Sequence, residues 1–409
     1  MTPRPRLVLI VMTTNKSVAA ADWFQDAGTR RVMDALQAAR PDGSRFVGGV
    51  VRNTLMGHPA SDVDIATQLR PEETISAIEA AGLRAIPTGI DHGTITAICD
   101  HKPFEITTLR RDVETDGRRA VVAFTEDWEE DAARRDFRLN ALYADANGTV
   151  YDPTGGLPDI DARKVVFIGE AEQRLREDHL RSLRFFRFSA WYANSIDETG
   201  LSACEALKDG LSAISVERIW KEVLKLFDAP QPYTAVSAMI RTGVMQVILP
   251  EADNGARLAR LRGIELAERL RFEAFQRFLC LFPRSADVAA SVSTRLKVSG
   301  KERDRMKDWA KASAPPDDEN DLKPWLYKTG TATAQDLIAW HWADRNVPGM
   351  RLADTFRLSQ TWQAPVFPIK GADLVARGHK PGPELGERLK RLEAEWIANG
   401  FSLDGVDQD

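Results

Sequence analysis

Cysteine is scarce in this chain, and the spacing of the few cysteines excludes two common kinds of site. The 409 residues include three, Cys99, Cys204 and Cys280, which lie far apart in the sequence. They match neither the spacing of a zinc site nor that of a dithiol redox centre. Separated thiols of this kind suit a reducing compartment, so we expect a cytoplasmic location.

Long apolar runs and an excess of positive charge are also missing. The apolar runs are too short to span a bilayer, so we expect no membrane association. The formal net charge is -5, which excludes a surface that is basic all over. Any contact with nucleic acid must therefore come from local basic patches.

Secondary-structure signals divide the chain into a mixed first part and a helical remainder. Up to about residue 150, alternating runs typical of strands are interspersed with helical segments. From about residue 170 helical spacing dominates, and breaks rich in Pro, Gly and acidic residues separate the helices. The sequence predicts an α/β head with a small mixed sheet, followed by an all-α remainder.

Two aspartates lie in a strand-like stretch where apolar residues are usual. In "SDVDIAT", Asp62 and Asp64 share one face of the predicted strand, because residues two apart point the same way. Like charges this close raise each other's pKa unless a cation compensates. Glu105, in "PFEITTLR", could add a third carboxylate from a neighbouring strand. Such carboxylates can hold two divalent ions, which activate an attacking hydroxyl and stabilise a leaving oxygen.

A glycine turn precedes these acids and favours a site over the alternative that they only cap turns or lie on a solvated edge. Gly48 and Gly49 allow close approach of a ligand, and their amides lead into a helix N-terminus suited to phosphate. Arg52, one turn into that helix, can reach the same anion. Gly-Gly, an arginine and then D-x-D form a specific combination.

Five motifs in order resemble one known family. "GGVVRNTLMG…SDVDIAT" is similar to the first motif of the class II tRNA nucleotidyltransferases, the CCA-adding enzymes, and of the related bacterial poly(A) polymerases. The resemblance continues through "RRDFRLNALY", "YDPTGGLPDI", "EDHLRSLRFFRF" and "SVERIWKEVLKL". It implies that Asp62 and Asp64 bind metal, that Mg²⁺ is the cofactor and that Glu105 is the third acid. Asn53 departs from the usual Asp and Arg138 from the usual Thr; Arg138 could add a phosphate or RNA contact.

The segment "REDHLRSLRFFRF" is predicted to be a helix that carries Asp178 and Arg181 on one surface. The residues alone indicate an ordinary intrahelical ion pair. The resemblance implies instead that Asp178 accepts from the amine of cytosine or adenine while Arg181 donates to the ring nitrogen. Uracil and guanine would leave buried polar groups unpaired, which costs enough for strong rejection.

The resemblance assigns further nucleotide contacts and a brace to this region. Arg135, Arg184 and Arg187 match positions that contact the nucleotide in the family. Asp136 and Asn140 are expected to buttress the region, because buried polar groups must be satisfied internally. The amphipathic helix "SVERIWKEVLKLF" is expected to brace the base-selecting helix.

The resemblance also implies a domain plan and an activity. Residues 1–24 form an extension, 25–150 the catalytic head, 151–245 a nucleotide-selecting neck and 246–409 a tRNA-binding body and tail. The implied reaction is template-independent addition of CCA to tRNA 3′ ends from CTP and ATP by two-metal nucleotidyl transfer. Composition indicates that "RRDVETDGRRAVVAFTEDWEEDAA" is a solvated loop; by resemblance it occupies the place of the flexible loop that full CCA addition needs.

Three alternatives remain open from the sequence. A bacterial poly(A) polymerase is disfavoured because those relatives carry basic extensions. Partial tRNA nucleotidyltransferases add only C or only A, and the retained loop weighs against the C-only form. A catalytically silent RNA-binding protein would lack an acid, whereas all three are present. The expected partners are tRNA, CTP and ATP, with the chain either a monomer or a homodimer.

Overall fold

The computed structural model describes residues 16–60, 62–116, 119–318, 320–345 and 350–404. The chain forms two compact units, the first ending at Ile248 and the second beginning at Leu249. All the candidate site residues belong to the first unit. The predicted boundaries after residues 24, 150 and 245 stay predictions.

The first unit is built on a mixed sheet. The described strands of this unit are β1 Ser44–Val47, β2 Asp64–Thr67, β3 Arg84–Gly89, β4 Thr94–Cys99, β5 Lys102–Thr108, β6 Arg110–Asp116, β7 Arg119–Phe124, β8 Tyr143–Ala144 and β9 Val150–Tyr151. Seven of them form one sheet in the order β3-β4-β5-β2-β1-β8-β9. Within this sheet β2 and β5 pair in parallel, and the other neighbours pair antiparallel. The predicted mixed sheet is confirmed.

Helices cover the sheet and continue beyond it. Those of the first unit are α1 Asp22–Gln25, α2 Ala27–Ala39, α3 Gly49–Met56, α4 Pro71–Ala80, α5 Trp128–Ala133, α6 Gly156–Ala162, α7 Ala171–Glu177, α8 Leu180–Tyr192, α9 Glu198–Ala206, α10 Val216–Phe227, α11 Pro232–Arg241 and α12 Val244–Ile248. Leu36 of α2 and Ile78 of α4 are fully buried, as is Ile95 of β4. Burial of branched side chains from both layers holds the helices on the sheet.

The charged segment after β5 is not a loop. β6 and β7 form a separate two-stranded antiparallel sheet, which pairs Arg110 with Phe124 at its base. Helix α5 follows it directly, and the side chain of Asp127 caps that helix by accepting from the amides of Glu129 and Glu130. The prediction of a solvated loop was wrong: dense charge around a glycine is typical of a loop, but the backbone of this segment pairs as two antiparallel strands.

The second unit is helical throughout its described part. Its helices are α13 Ala256–Glu268, α14 Ala274–Leu279, α15 Ala286–Arg295, α16 Gly300–Lys311, α17 Leu322–Thr329, α18 Thr331–Arg345, α19 Met350–Thr361, α20 Gly371–Ala376 and α21 Pro383–Ala398. Phe278, Phe282 and Trp309 are completely buried in it. Arg305 of α16 forms a bidentate ion pair with the buried Asp336 of α18, both N–O distances being 2.6 Å. Within the described residues of the whole chain, none of the helices combines the length and apolar character needed to cross a membrane.

Candidate active site

Two acids meet where β2 and β5 pair in parallel. Asp64, the first residue of β2, is the register partner of Glu105 on β5. The next pair in the register, Ile65 and Ile106, is 1% and 0% exposed and lies in the core. Because side chains alternate along a strand, the two acids face away from that core. The structure thus brings these two predicted site residues together.

Asp62 lies outside the strand that the sequence predicted for it. β2 begins at Asp64, and Asp62 is an exposed residue two positions earlier. Its charge nevertheless acts on Asp64. Burial raises the pKa of Asp64 to about 6, with further increases from the like charges of Glu105 and Asp62 and a partial decrease from Arg135. These four groups therefore share one electrostatic environment.

The donor set fits a metal ion whose coordination a substrate completes. Among the described residues, no group of three His, Cys, Asp or Glu side chains is spaced to hold an ion by itself. Mg²⁺ commonly binds through one or two carboxylates together with substrate phosphates. A cation at Asp62 and Asp64 would offset the burial and the like charges that together raise the pKa of Asp64.

The glycine turn lies between two arginines. Gly48 has φ 68°, a left-handed conformation that favours glycine, and α3 begins at Gly49. A Cβ atom on Gly48 would lie 3.7 Å from Nη1 of Arg135, and one on Gly49 would lie 3.8 Å from Nη2 of Arg52. None of the described side chains caps the start of α3. Its first amides and the two guanidinium groups can therefore bind an anion at this turn.

Arg52 is fixed rather than free to reach into solvent. It is 7% exposed, and Nη2 donates to Tyr192 Oη at 2.9 Å and to Asn53 Oδ1 at 2.8 Å. Its Nη1 donates to Asn140 Oδ1, and its guanidinium lies over the Tyr192 ring, 4.2 Å from the centroid. Asn53 in turn donates to the carbonyl of Pro59. The departure at Asn53 thus keeps an acceptor for Arg52 without the charge of Asp.

Arg135 is held by a residue that the sequence interpretation missed. Asp131, 1% exposed, accepts from Arg135 Nη2 at 3.0 Å, from Tyr143 Oη at 2.8 Å and from Arg134 Nη2 at 2.7 Å. Burial alone would raise the pKa of Asp131, but the charges of Arg135 and Arg134 outweigh it and lower the pKa to about 2. A signal was present, since an acid three and four residues before an arginine pair on a helix faces both.

Asp136 and Asn140 connect three parts of the site. Asp136 Oδ2 accepts from Arg184 Nε at 2.8 Å, and its Oδ1 accepts from Asn140 Nδ2 at 2.9 Å. Asn140 then accepts from Arg52. The expected buttressing by Asp136 and Asn140 is supported by these contacts. Arg138, the other departure, lies 3.6 Å from the carboxylate of Asp159 and so has an acidic partner.

Asp178 and Arg181 do not form the ion pair that the sequence alone indicated. α7 ends at Glu177, Asp178 has an extended backbone and α8 begins at Leu180, so the prediction of one continuous helix was wrong. Asp178 Oδ1 accepts from the Leu180 amide at 3.0 Å. Arg181 pairs with Glu177 and donates to the carbonyl of Arg174 at 2.9 Å.

Helix α10 braces this segment, as the sequence predicted. Arg218 Nη2 donates to Asp178 Oδ2 at 2.7 Å, and Glu222 Oε2 accepts from Arg187 Nε at 2.6 Å. Both partners lie one turn apart on α10. The sequence interpretation named the helix but missed that Arg218 and Glu222 are the contacts. Each candidate base-selecting group is therefore held by a charged neighbour.

Comparison with known proteins agrees with this arrangement. Residues 44–166 match the family described as "Poly A polymerase head domain", and residues 195–255 match "Probable RNA and SrmB- binding site of polymerase A". The mitochondrial CCA tRNA nucleotidyltransferase 1 of Mus musculus is 33% identical over 382 residues, which cover 88% of this chain and 84% of the mouse protein. The chain belongs to the CCA-adding enzyme family.

Other CCA-adding enzymes extend the match over nearly the whole length. That of Streptococcus sanguinis is 31% identical over 382 residues, 90% of this chain and 92% of its own. The crystal structure of the Bacillus stearothermophilus CCA-adding enzyme in complex with CTP superposes with a TM-score of 0.71 at 26% identity, covering 92% and 94% of the two chains.

Several predictions are settled by this membership. The predicted family, the fold class and the assignment as a nucleotidyltransferase enzyme are confirmed. Nucleotidyltransferases of this family generally use a divalent metal ion. The mitochondrial names among the relatives give the expected cytoplasmic location no support, and it stays a prediction.

Proposed function

We propose that this chain adds CCA to the 3′ end of tRNA from CTP and ATP without a nucleic-acid template. The match to relatives named for this activity covers most of this chain and most of each relative. The observation that carries the proposal is the Asp64–Glu105 register pair, together with the Gly48–Gly49 turn flanked by Arg135 and Arg52. A carboxylate pair and an anion-binding turn are the two parts that transfer of a nucleoside phosphate needs.

The chemistry rests on positioning and charge neutralisation. Two Mg²⁺ ions, when bound at Asp62 and Asp64, would supply charge neutralisation for the attacking and leaving oxygens. Glu105 is the third catalytic acid and keeps the neighbourhood of Asp64 negative. The glycine turn lets the triphosphate approach closely, and Arg135 donates to it. Because Asp131 and Tyr143 already hold Arg135, little side-chain freedom is lost on binding.

Base choice is assigned to Asp178 and Arg181, which read the amine and the ring nitrogen shared by cytosine and adenine. Arg184 and Arg187 contact the nucleotide from the same helix. Uracil or guanine would place a carbonyl oxygen against the carboxylate, and each unpaired buried group costs about 1–3 kcal/mol. The contacts of Arg218 and Glu177 support this role, since they fix the two groups before a base arrives.

The domain plan follows from these roles. We assign catalysis to residues 25–150, base selection to 151–245 and tRNA binding to 246–409, with 1–24 as an extension. A basic cluster in the tail, Lys370, Arg377, His379 and Lys380, suits phosphate contacts with the acceptor arm or elbow. The proposal places the enzyme in the cytoplasm and holds for a monomer and for a homodimer.

The test is a product-length assay with Mg²⁺ and tRNA truncated before its CCA end. CTP alone should add two residues, ATP alone should add one to tRNA that already ends in CC, and both together should add three and then stop. Asp62→Ala should abolish every product. A stop at two residues with both nucleotides present, or addition of A alone, would identify a partial enzyme instead.

A second candidate is a poly(A) polymerase, because both matched family descriptions name polymerase A. It predicts an open-ended ladder with ATP alone and no dependence on CTP. A protein that binds tRNA but yields no product under any combination would be the catalytically silent alternative. The same product-length assay therefore distinguishes all of these candidate functions.

A further inference from the structure

Helices α15 and α16 enclose a cavity of about 330 Å³ within the second unit. One wall is made of small residues of α15, among them Ala289, Ala290 and Ser293. The other wall is made of three cations of α16, Arg303, Lys307 and Lys311. We call this cavity with its two walls the α15–α16 groove. None of the candidate acids or nucleotide-contacting residues described above lines this groove.

The three cations form one stripe along α16. They follow each other at intervals of four residues, so they lie on one face and span about 12 Å along the helix axis. All three are exposed. In the part of the chain that the structure describes, none of the three has an ion-pair partner, and Asp304 and Asp308 on the adjoining face of α16 make no ion pair with them.

The lack of ion-pair partners for this stripe among the described residues contrasts with the pairing of the arginines in the first unit. Arg135, Arg184 and Arg187 each pair with a carboxylate within 3.0 Å. A solvated helix face commonly pairs its charges in the same way, at intervals of three or four residues. Three unpaired cations on the wall of a concave surface instead focus a positive potential inside it, which attracts an anion.

The shape of the groove favours a chain of phosphates over a single small anion. A stripe of about 12 Å is longer than one phosphate group, so successive cations can contact successive phosphates. The small side chains of the facing wall let a polymer backbone come close. Thr294, exposed on that wall, carries a hydroxyl of the kind that donates to phosphate oxygens.

We propose that the α15–α16 groove binds the sugar–phosphate backbone of the tRNA substrate. This inference rests on the proposed function for the identity of the RNA, and it assigns the contact to Arg303, Lys307 and Lys311. The contacts are to phosphate, so they position the RNA and do not read its sequence. The groove adds affinity for long substrates without touching the nucleotide.

The test compares a triple variant, Arg303→Gln with Lys307→Gln and Lys311→Gln, with wild type in the full chain. Fluorescence anisotropy with labelled tRNA is measured between about 50 and 300 mM salt. We expect Kd for tRNA to rise about 10- to 100-fold near physiological salt, and the slope of log Kd against log salt to fall by about one for each cation. Single Lys307→Gln should show about one third of the slope change.

Lys301→Gln is the matched control, because Lys301 is an exposed lysine on the same helix but lies about 120° around the helix axis from Lys307, the middle of the stripe. It should leave Kd within twofold, and circular dichroism should show that every variant is folded. Equal Kd and slope in wild type and triple variant would overturn the inference. So would unchanged tRNA binding with loss of self-association in sedimentation, since the groove would then be a protein interface.

The addition assay separates this inference from the proposed function. In the triple variant, KM for tRNA should rise in step with Kd while KM for CTP stays within twofold. If wild type adds no CCA but its tRNA affinity depends on the groove, the proposed function fails and the groove stands. If wild type adds CCA and the triple variant keeps the wild-type KM for tRNA, the groove inference fails alone.

Discussion

Replacing Asp64 by asparagine should abolish nucleotide addition and yet stabilise the metal-free protein. The reason is that Asp64 is ionised at neutral pH although its surroundings destabilise the charged form. It is largely buried beside Glu105 and Asp62, and its pKa is raised from 3.8 to about 6. Asparagine has nearly the same shape but carries no charge, so the penalty for burying a charge and the repulsion both disappear, together with the metal ligand.

The magnitude follows from the pKa. The difference between 3.8 and about 6 corresponds to about 3 kcal/mol in the free energy of unfolding, at 1.36 kcal/mol for each pH unit. Because the pKa is raised on folding, the folded state holds the proton more tightly than the unfolded state. The wild type therefore loses stability as pH rises from about 4 to about 6. The gain from Asp64→Asn should reach its full value, up to about 3 kcal/mol, above that range and vanish below it.

The assay is urea denaturation of wild type and variant with a chelator present, at intervals from about pH 8 to about pH 4. Asp62→Asn is the matched control, because Asp62 is exposed and so has little burial penalty to relieve. Added Mg²⁺ should raise the stability of wild type more than that of either variant. A variant less stable than wild type at the alkaline end, or a gain that does not change with pH, would refute the reasoning.

Three further predictions concern positioning residues. Asp131→Asn leaves Arg134 and Arg135 without their buried carboxylate, so the free energy of unfolding measured with urea should fall by about 3–5 kcal/mol. The KM for CTP should also rise, and an unchanged KM would contradict the role given to Arg135. Gly48→Ala and Gly57→Ala, both at positive φ, should each lose about 1–2 kcal/mol, but only Gly48→Ala should weaken CTP binding in calorimetry. Arg218→Ala should raise misincorporation from UTP or GTP about 10- to 100-fold, with partial recovery in Arg218→Lys; retained fidelity would remove its link to Asp178.

Local patterns predicted those parts of the head that depend on neighbours in sequence. Alternating residues on both sides of "DHKP" are typical of a hairpin, which β4 and β5 form, and Gly57, a residue type common at helix ends, ends α3. The pairing of Asp64 with Glu105 was suggested only as a possibility, because parallel strands that are distant in sequence carry no local signal of their register. Family resemblance rather than periodicity supplied the roles of these acids.

The errors share a different cause. Apolar spacing continues across Asp178, so nothing in the pattern shows that its side chain bonds the Leu180 amide and separates two helices. Arg218 and Glu222 were missed as contacts because their partners, Asp178 and Arg187, lie 40 and 35 residues away in the sequence. An ion pair between distant segments has no periodic signature in a single sequence.

The parallel pairing of β2 with β5 also sets the order in which the enzyme can become active during synthesis. A nascent chain that has been synthesised only as far as Asp62 and Asp64 lacks Glu105, which follows with β5. Arg135 and Tyr143 emerge later still. A fragment that ends between β5 and Arg135 therefore contains the three acids and the glycine turn but lacks the guanidinium group of Arg135, which flanks this turn.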